Sequence, residues 1–339
     1  MSRDPRRLAP WPTALSTALL TALLAGCAGP QSALDPAGPS AASINRLGIL
    51  MYVGAALVTL LVTILMLVPF LRRREGAVNH RLFLWGGGVA LPLLTLTALV
   101  PYVMTVGHET RISRAESRLS VDVTGHRYWW EVSYRRAGMP PVVALPPVAS
   151  ANELRVPAGE PVELLLRADD VIHSFWVPRL AGKTDMIPGR VNRMVIRADR
   201  PGIFRGQCAE YCGTQHALMA FDVIVLPRAE FDAWLSRVAE PAREPPTPQL
   251  RDGRDLFVKL GCGSCHTVHG VAEGRRGPDL TQVGARRMIG AGALRGGIGN
   301  IAGWIASAQH LKPGNAMPSY DQLEGPQLRA LAAYLESLK

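Results

Sequence analysis

CAEYCGTQHALM, residues 208–219, sets Cys208, Cys212, His216 and Met219 within twelve positions. Two thiolates, an imidazole and a thioether form a soft donor set that selects copper over zinc or calcium. A single-copper blue site uses one cysteine with histidines and a weak methionine, whereas two cysteines four apart can bridge two copper ions. Paired cysteines outside the cytosol also form disulfides, and the spacing alone leaves that alternative open. A binuclear site needs a second histidine from another strand. The candidate is His173 in DDVIHSFWVP, an imidazole at the end of an apolar strand and preceded by Asp169 and Asp170.

The flanking residues say what carries such a loop. From Val121 onward the apolar residues recur with a period near two. SVDVTGHRYWWEVSY, ELRVPAGEPVELLLRA, NRMVIRADRPGIFRG and MAFDVIVLP are short β runs separated by Gly, Pro and Asp, the pattern of an antiparallel sandwich. RAEFDAWLSRVA, 228–239, then reads as an amphipathic helix. The aromatics of GHRYWWEVSY are, on this pattern, core and sheet surface.

Toward the N-terminus the pattern changes twice. Residues 47–71 and 82–106 are uncharged stretches of 25 residues each, where about 20 cross a bilayer. They predict a transmembrane hairpin. The intervening RRREGAVNHR carries Arg72, Arg73, Arg74 and Arg81, and short arginine-rich loops stay cytoplasmic, which places everything after Gly107 outside. Before the hairpin, Arg3, Arg6 and Arg7 precede an apolar run ending LLAGC, a signal-peptide pattern. Leu24-Ala25-Gly26-Cys27 resembles a bacterial lipobox, which makes Cys27 the lipidated first residue of the mature chain. GPQSALDPAGPSAAS is a linker without apolar period.

Toward the C-terminus, EPAREPPTP (240–248) is a proline-rich linker expected to hold its neighbours apart. A smaller helical domain follows. In it Cys262, Cys265 and His266 form C-x-x-C-H, the attachment site of a c-type haem with His266 as proximal ligand. Met317 in KPGNAMPSY lies 51 residues beyond His266 and is placed as the distal ligand, with Met288, only 22 residues beyond and flanked by arginines, as its competitor. LRALAAYLESL closes the chain as a helix packed on that domain. A linker of about nine residues would keep the two redox domains at an effective concentration near millimolar.

The net charge of +10 does not indicate a nucleic-acid surface. Half of the excess lies before residue 108, where it sets topology, and the rest is scattered without a basic run.

HSFWVP, GKTDMIPGRVN and CAEYCGTQHALM, in that order on a sandwich after a two-helix hairpin, resemble subunit II of a haem-copper cytochrome c oxidase. The resemblance runs from about residue 44 to 240. It implies a cupredoxin-like Greek-key sandwich and the dicopper centre CuA. In that centre Cys208 and Cys212 bridge, His173 and His216 each cap one copper, Met219 is a weak ligand and Glu210 offers its backbone carbonyl. It further implies a magnesium ion facing the Glu210 carboxylate, with Asp185 in the same region. The family's aromatic segment above CuA, which takes in electrons, reads close to GHQWYW. This chain has Tyr128 in the place of the receiving tryptophan, followed by Trp129 and Trp130. GPDL (277–280) matches the cytochrome c segment whose proline carbonyl orients the proximal histidine, which makes Pro278 a supporting residue.

The resemblance is thus to oxidases whose subunit II is fused to cytochrome c. It implies a chain with a signal peptide (1–27), a linker (28–43), a transmembrane hairpin (44–107), a CuA domain (108–240), a second linker (241–248) and an all-α class I cytochrome c domain (249–339). It implies electron input to a separate subunit I that reduces oxygen, with subunit III as a further partner, and a donor that is cytochrome c or a cytochrome bc complex. The location it implies is the bacterial inner membrane, with both redox domains on the periplasmic face. The electron-input subunit of a CuA-containing nitric oxide reductase would show the same motifs, and a copper-handling lipoprotein is a more distant reading.

Overall fold

The computed structural model describes residues 29–71, 79–110, 117–136 and 148–339. The signal sequence, Cys27 and the arginines at 72–74 lie outside the described residues.

Two long helices stand apart from the rest. α1 spans Pro39–Leu71, and α2 spans Leu91–Glu109 as the continuation of a π-helical stretch, Leu82–Ala90. Leu57, Leu60, Met66, Leu93, Leu94 and Met104 are all exposed along them. Helices so apolar and so exposed fit a membrane anchor, because in lipid an apolar surface carries no cost and the helix satisfies its own backbone. α1 begins five residues before the expected boundary at 44. The preceding segment is not a free linker: Ala37 N–H donates to the Arg179 carbonyl at 2.7 Å, and Asp199 N–H donates back to the Ala37 carbonyl at 2.8 Å. Small residues let it lie along the sandwich, with Ala37 and Ala41 buried there.

The central domain is a two-sheet sandwich. Its strands are β1 (Leu119–His126), β2 (Trp129–Arg136), β3 (Val148–Ala151), β4 (Glu153–Pro157), β5 (Val162–Ala168), β6 (His173–Trp176), β7 (Thr184–Met186), β8 (Asn192–Ile196), β9 (Gly202–Cys208) and β10 (Ala220–Leu226). One sheet has the order β3-β2-β1-β5-β8 and the other β4-β10-β9-β6-β7. The runs with period two became β1, β2, β4, β5, β8, β9 and β10. The purely antiparallel expectation needs one amendment, since β1 pairs with β5 and β10 with β4 in parallel. Strand direction depends on long connections, which leave no mark on local alternation.

Between the sheets Trp130, 1% exposed, packs at 4.9 Å between ring centroids from Phe221 and edge-on to Phe175 at 6.1 Å. Fully burying one such side chain contributes roughly 2–3 kcal/mol. α3 (Arg228–Val238) closes the end of the sandwich through Phe231 and Trp234, which meet Tyr134.

The C-terminal domain is built on α4 (Pro248–Lys259), α5 (Ile298–Leu311) and α6 (Gly325–Ser337). Thr247 caps α4 by accepting from Leu250 N–H, and Glu324 with Gln327 forms a capping box on α6. Two small hairpins, β11 (Thr267–Val268) with β12 (Ala272–Glu273) and β13 (Met288–Ile289) with β14 (Leu294–Arg295), interrupt the helical plan.

The proline-rich stretch does not hold the domains apart. Its polar groups are used locally: Arg251 reaches the Pro246 carbonyl at 3.2 Å, Arg254 pairs with the Glu244 carboxylate at 2.6 Å, and Ala242 N–H donates to the His269 carbonyl at 2.8 Å. The stretch lies along the C-terminal domain, and the two domains touch directly.

Candidate metal centre and haem site

The donor atoms read from the sequence converge at one end of the sandwich. β9 ends at Cys208 and β10 begins after Met219, so the loop between them carries four donors, while β6 presents His173 from the neighbouring position. Cys208 Sγ lies 3.9 Å from Cys212 Sγ. His173 Nδ1 is 3.8 Å from Cys208 Sγ, and His216 Nδ1 is 3.7 Å from Cys212 Sγ, so each imidazole faces a different sulfur. Met219 Sδ is 3.8 Å from Cys212 Sγ, and the Glu210 carbonyl oxygen is 3.2 Å from Cys208 Sγ. His173, Cys208, Cys212 and Met219 are buried. All four cysteines among the described residues are free thiols, so the disulfide alternative finds no support here.

His173 is held from behind. Its Nε2 meets Asp170 Oδ1 at 2.8 Å, which turns Nδ1 toward the sulfurs. Gly125 makes room for the ring, since a Cβ there would come within 2.9 Å of it. Burial works against protonating His173, but hydrogen bonds with Cys208 and Asp170 outweigh it and raise its pKa. Burial likewise opposes charge on Asp170, and hydrogen bonds from His173, Val171 N–H and Arg127 N–H reverse this and lower its pKa.

The two thiols share one proton. The hydrogen bond from Cys212 holds the Cys208 thiol well below its usual range, and the hydrogen bond to Cys208 together with burial pushes Cys212 up. One sulfur is therefore a ready ligand, and a metal must displace the proton of the other, so copper affinity rises with pH. Donor chemistry and arrangement both suit a pair of soft metal ions.

Of the aromatics, Trp130 belongs to the core. Tyr128 lies in the β1–β2 turn, is 7% exposed, and its hydroxyl is 3.2 Å from Thr214 Oγ1 in the metal loop. Trp129 stacks on His126 at 4.4 Å. Trp129 also lines a cavity of about 130 Å³ shared with Thr267, His269 and Arg275 of the C-terminal domain. Asp185 is exposed on β7, where its carbonyl accepts from Asn192.

In the C-terminal domain a short turn, Cys262–Ser264, leads into Cys265 and His266. His266 Nδ1 meets the Pro278 carbonyl at 2.7 Å, as the GPDL match implies, leaving Nε2 for a metal. Gly277 permits this approach, because a Cβ there would stand 2.6 Å from the imidazole. Burial lowers the His266 pKa and keeps the ring a neutral ligand. Met317 packs against the domain core, and its Sδ accepts from Trp304 Nε1 at 3.1 Å. Asn315 Oδ1 takes the Met317 N–H at 2.8 Å, and Gln309 donates to the Met317 carbonyl at 2.6 Å. Met288 sits instead on β13, directly after Arg287, whose N–H donates to Glu153 of the sandwich.

Sequence reasoning missed Trp304 and the interdomain contacts. Trp304 had a weak signal, an aromatic on a helix 13 residues before Met317.

Comparison with known proteins finds relatives for both domains. Residues 142–226 match the family model for cytochrome c oxidase subunit II, periplasmic domain, and residues 250–339 match that for cytochrome c. The cytochrome c oxidase subunit 2 of Alkalihalophilus pseudofirmus is 36% identical over 347 residues, covering 97% of this chain and 98% of the relative. That of Bacillus subtilis is 31% identical over 358 residues, with the same coverage of 97% and 98%. The solved periplasmic domain of subunit II of cytochrome oxidase from Bradyrhizobium japonicum is 31% identical and covers 36% of this chain and 94% of its own, with a TM-score of 0.31.

Proposed function

The chain belongs to the cytochrome c oxidase subunit II family, and we propose that it is the electron-input subunit of a respiratory oxidase with its own haem donor. Family membership makes it a subunit of a haem-copper oxidoreductase with a subunit I partner and a membrane context. Its two domains imply CuA copper and haem.

In the proposed assignment Cys208 and Cys212 would hold a pair of copper ions between them, with His173 and His216 as one imidazole ligand each and Met219 and the Glu210 carbonyl as weaker donors. Bridging thiolates spread one electron over both metals, so little geometry changes on reduction, and the rigid sandwich keeps it so. The observation that carries this is the pairing of each histidine Nδ1 with a different thiol of a buried cysteine pair. It is tested on the wild-type complex: two coppers per chain and a multi-line paramagnetic signal from two equivalent nuclei are expected, and one copper with a simple four-line signal would overturn it.

Haem would be attached through thioethers to Cys262 and Cys265, with His266 proximal, Pro278 orienting it and Met317 distal. Met317→Ala should abolish the sulfur-to-iron band and lower the haem potential on the order of 0.1 V, within the roughly 0.8 V that axial ligands command. Met288→Ala should do neither, and the opposite pair of results would reverse the assignment.

Electrons would pass from a cytochrome c or cytochrome bc donor to haem, then to CuA, then to subunit I, where oxygen is reduced to water; subunit III would complete the complex. A magnesium ion at Glu210 and Asp185 would draw further ligands from subunit I, since no cluster of three metal-binding side chains includes either among the described residues. The arginines at 72–74 and 81 put both redox domains on the periplasmic face. A lipid on Cys27 is part of this reading, and a fatty-acid label that persists in Cys27→Ala would remove it. The names of the curated relatives favour oxygen over nitric oxide as the oxidant.

A further inference from the structure

The chain contains four lysines. Lys183, Lys259 and Lys339 are exposed, while Lys312 is 2% exposed. Lys312 follows α5, and its ammonium donates to three carbonyls: Tyr128 at 2.8 Å, Leu218 at 2.7 Å and Gly290 at 2.9 Å. An ammonium has three N–H donors and no acceptor, so its capacity is filled without water. Two of the acceptors belong to the sandwich and one to the C-terminal domain. A buried cation is costly unless its bonds are all made, and here they can all be made only while the domains are in contact.

The surroundings repeat the pattern. Ala220 N–H donates to the Ala291 carbonyl at 3.0 Å, and Arg287 N–H donates to Glu153 Oε1 at 2.7 Å. The Arg287 guanidinium meets Asp222 at 3.5 Å. Position along the chain gives Lys312 a further meaning. Leu218 directly precedes Met219, and Lys312 stands five residues before Met317, so one hydrogen bond joins the loop of the proposed distal haem ligand to the loop of the proposed copper ligands.

We propose that Lys312 is a positioning residue that latches the haem domain onto the copper loop and sets the gap across which the electron moves. The inference rests on the site assignment above. The donor is docked rather than diffusing on a tether. In the step it serves, one electron leaves ferrous haem and reduces the oxidised copper pair, with no bond formed and no proton moved.

The test uses the assembled complex. Under brief treatment with an amine-acylating reagent, Lys183, Lys259 and Lys339 should be modified and Lys312 spared by at least tenfold; equal labelling of Lys312 and Lys259 would overturn the docked arrangement. In Lys312→Met, flash reduction of haem should be followed by electron transfer to CuA slowed at least tenfold, and protease cleavage within 240–248 should accelerate. The copper and haem spectra and the haem potential should stay as in the wild type. A wild-type transfer rate in that variant would overturn the proposal. If Lys312→Met fails to assemble, Lys312→Gln, which keeps the stem and one amide donor group, should slow transfer at least threefold, and an unchanged rate overturns it equally. Absence of the dicopper or haem signal from the wild-type complex would instead refute the site assignment.

Discussion

Replacing Cys208 by serine should erase the multi-line copper signal and bring copper from two ions per chain to one or none, with the haem spectrum unchanged. The sulfurs of Cys208 and Cys212 lie 3.9 Å apart, with His173, His216, Met219 and the Glu210 carbonyl arranged around them. Both metals would depend on both sulfurs. Serine supplies a hard hydroxyl that stays protonated at neutral pH and does not bridge soft copper. Cys212, His216 and Met219 remain as a set able to hold a single ion. The haem ligands lie in another domain with its own core, so their spectrum isolates the effect. Oxygen consumption should fall at least a hundredfold, because the centre that feeds subunit I is gone. A wild-type copper signal in Cys208→Ser would refute the ligand assignment.

Removing the haem attachment, by Cys262→Ala with Cys265→Ala, should lower oxygen consumption from a cytochrome donor at least tenfold while the copper signal persists. In the proposed reading Tyr128 takes the place of the family's receiving tryptophan; it is 7% exposed, with its carbonyl taken by Lys312. Trp129 faces a cavity lined on the far side by the haem domain. On the proposed path a soluble donor would meet the haem domain where it would otherwise meet these aromatics. A small artificial reductant able to reach CuA should restore turnover, which separates loss of input from damage to the complex. Near-normal rates with the cytochrome donor would show that CuA accepts electrons directly and that the haem is dispensable.

The chemistry of both sites was legible in the chain because each is written largely within one loop. Cys208, Cys212, His216 and Met219 share twelve residues, and Cys262, Cys265 and His266 share five. Ligands so close in sequence are close in space in almost any compact fold. The strands were legible because burial on one face imposes a period of two, and the membrane helices because a bilayer demands length without charge. His173 was half legible: the sequence offered it as a candidate only beside the downstream cluster, and its place 3.8 Å from Cys208 follows from the pairing of β6 with β9.

Only the tertiary structure decided how the domains meet. A lysine after a helix reads as an ordinary cation near a C-terminal dipole, yet Lys312 bonds to carbonyls 94 and 184 residues away. The linker reads as a spacer because prolines favour extension, yet its carbonyls are taken up by Arg251 of the domain it precedes. The parallel pairings β1–β5 and β10–β4 were likewise hidden. The physical reason is common to all three. Local sequence records the period of an element and the chemistry of its side chains, whereas contacts between distant segments depend on where the completed surfaces fit, and no period carries that information.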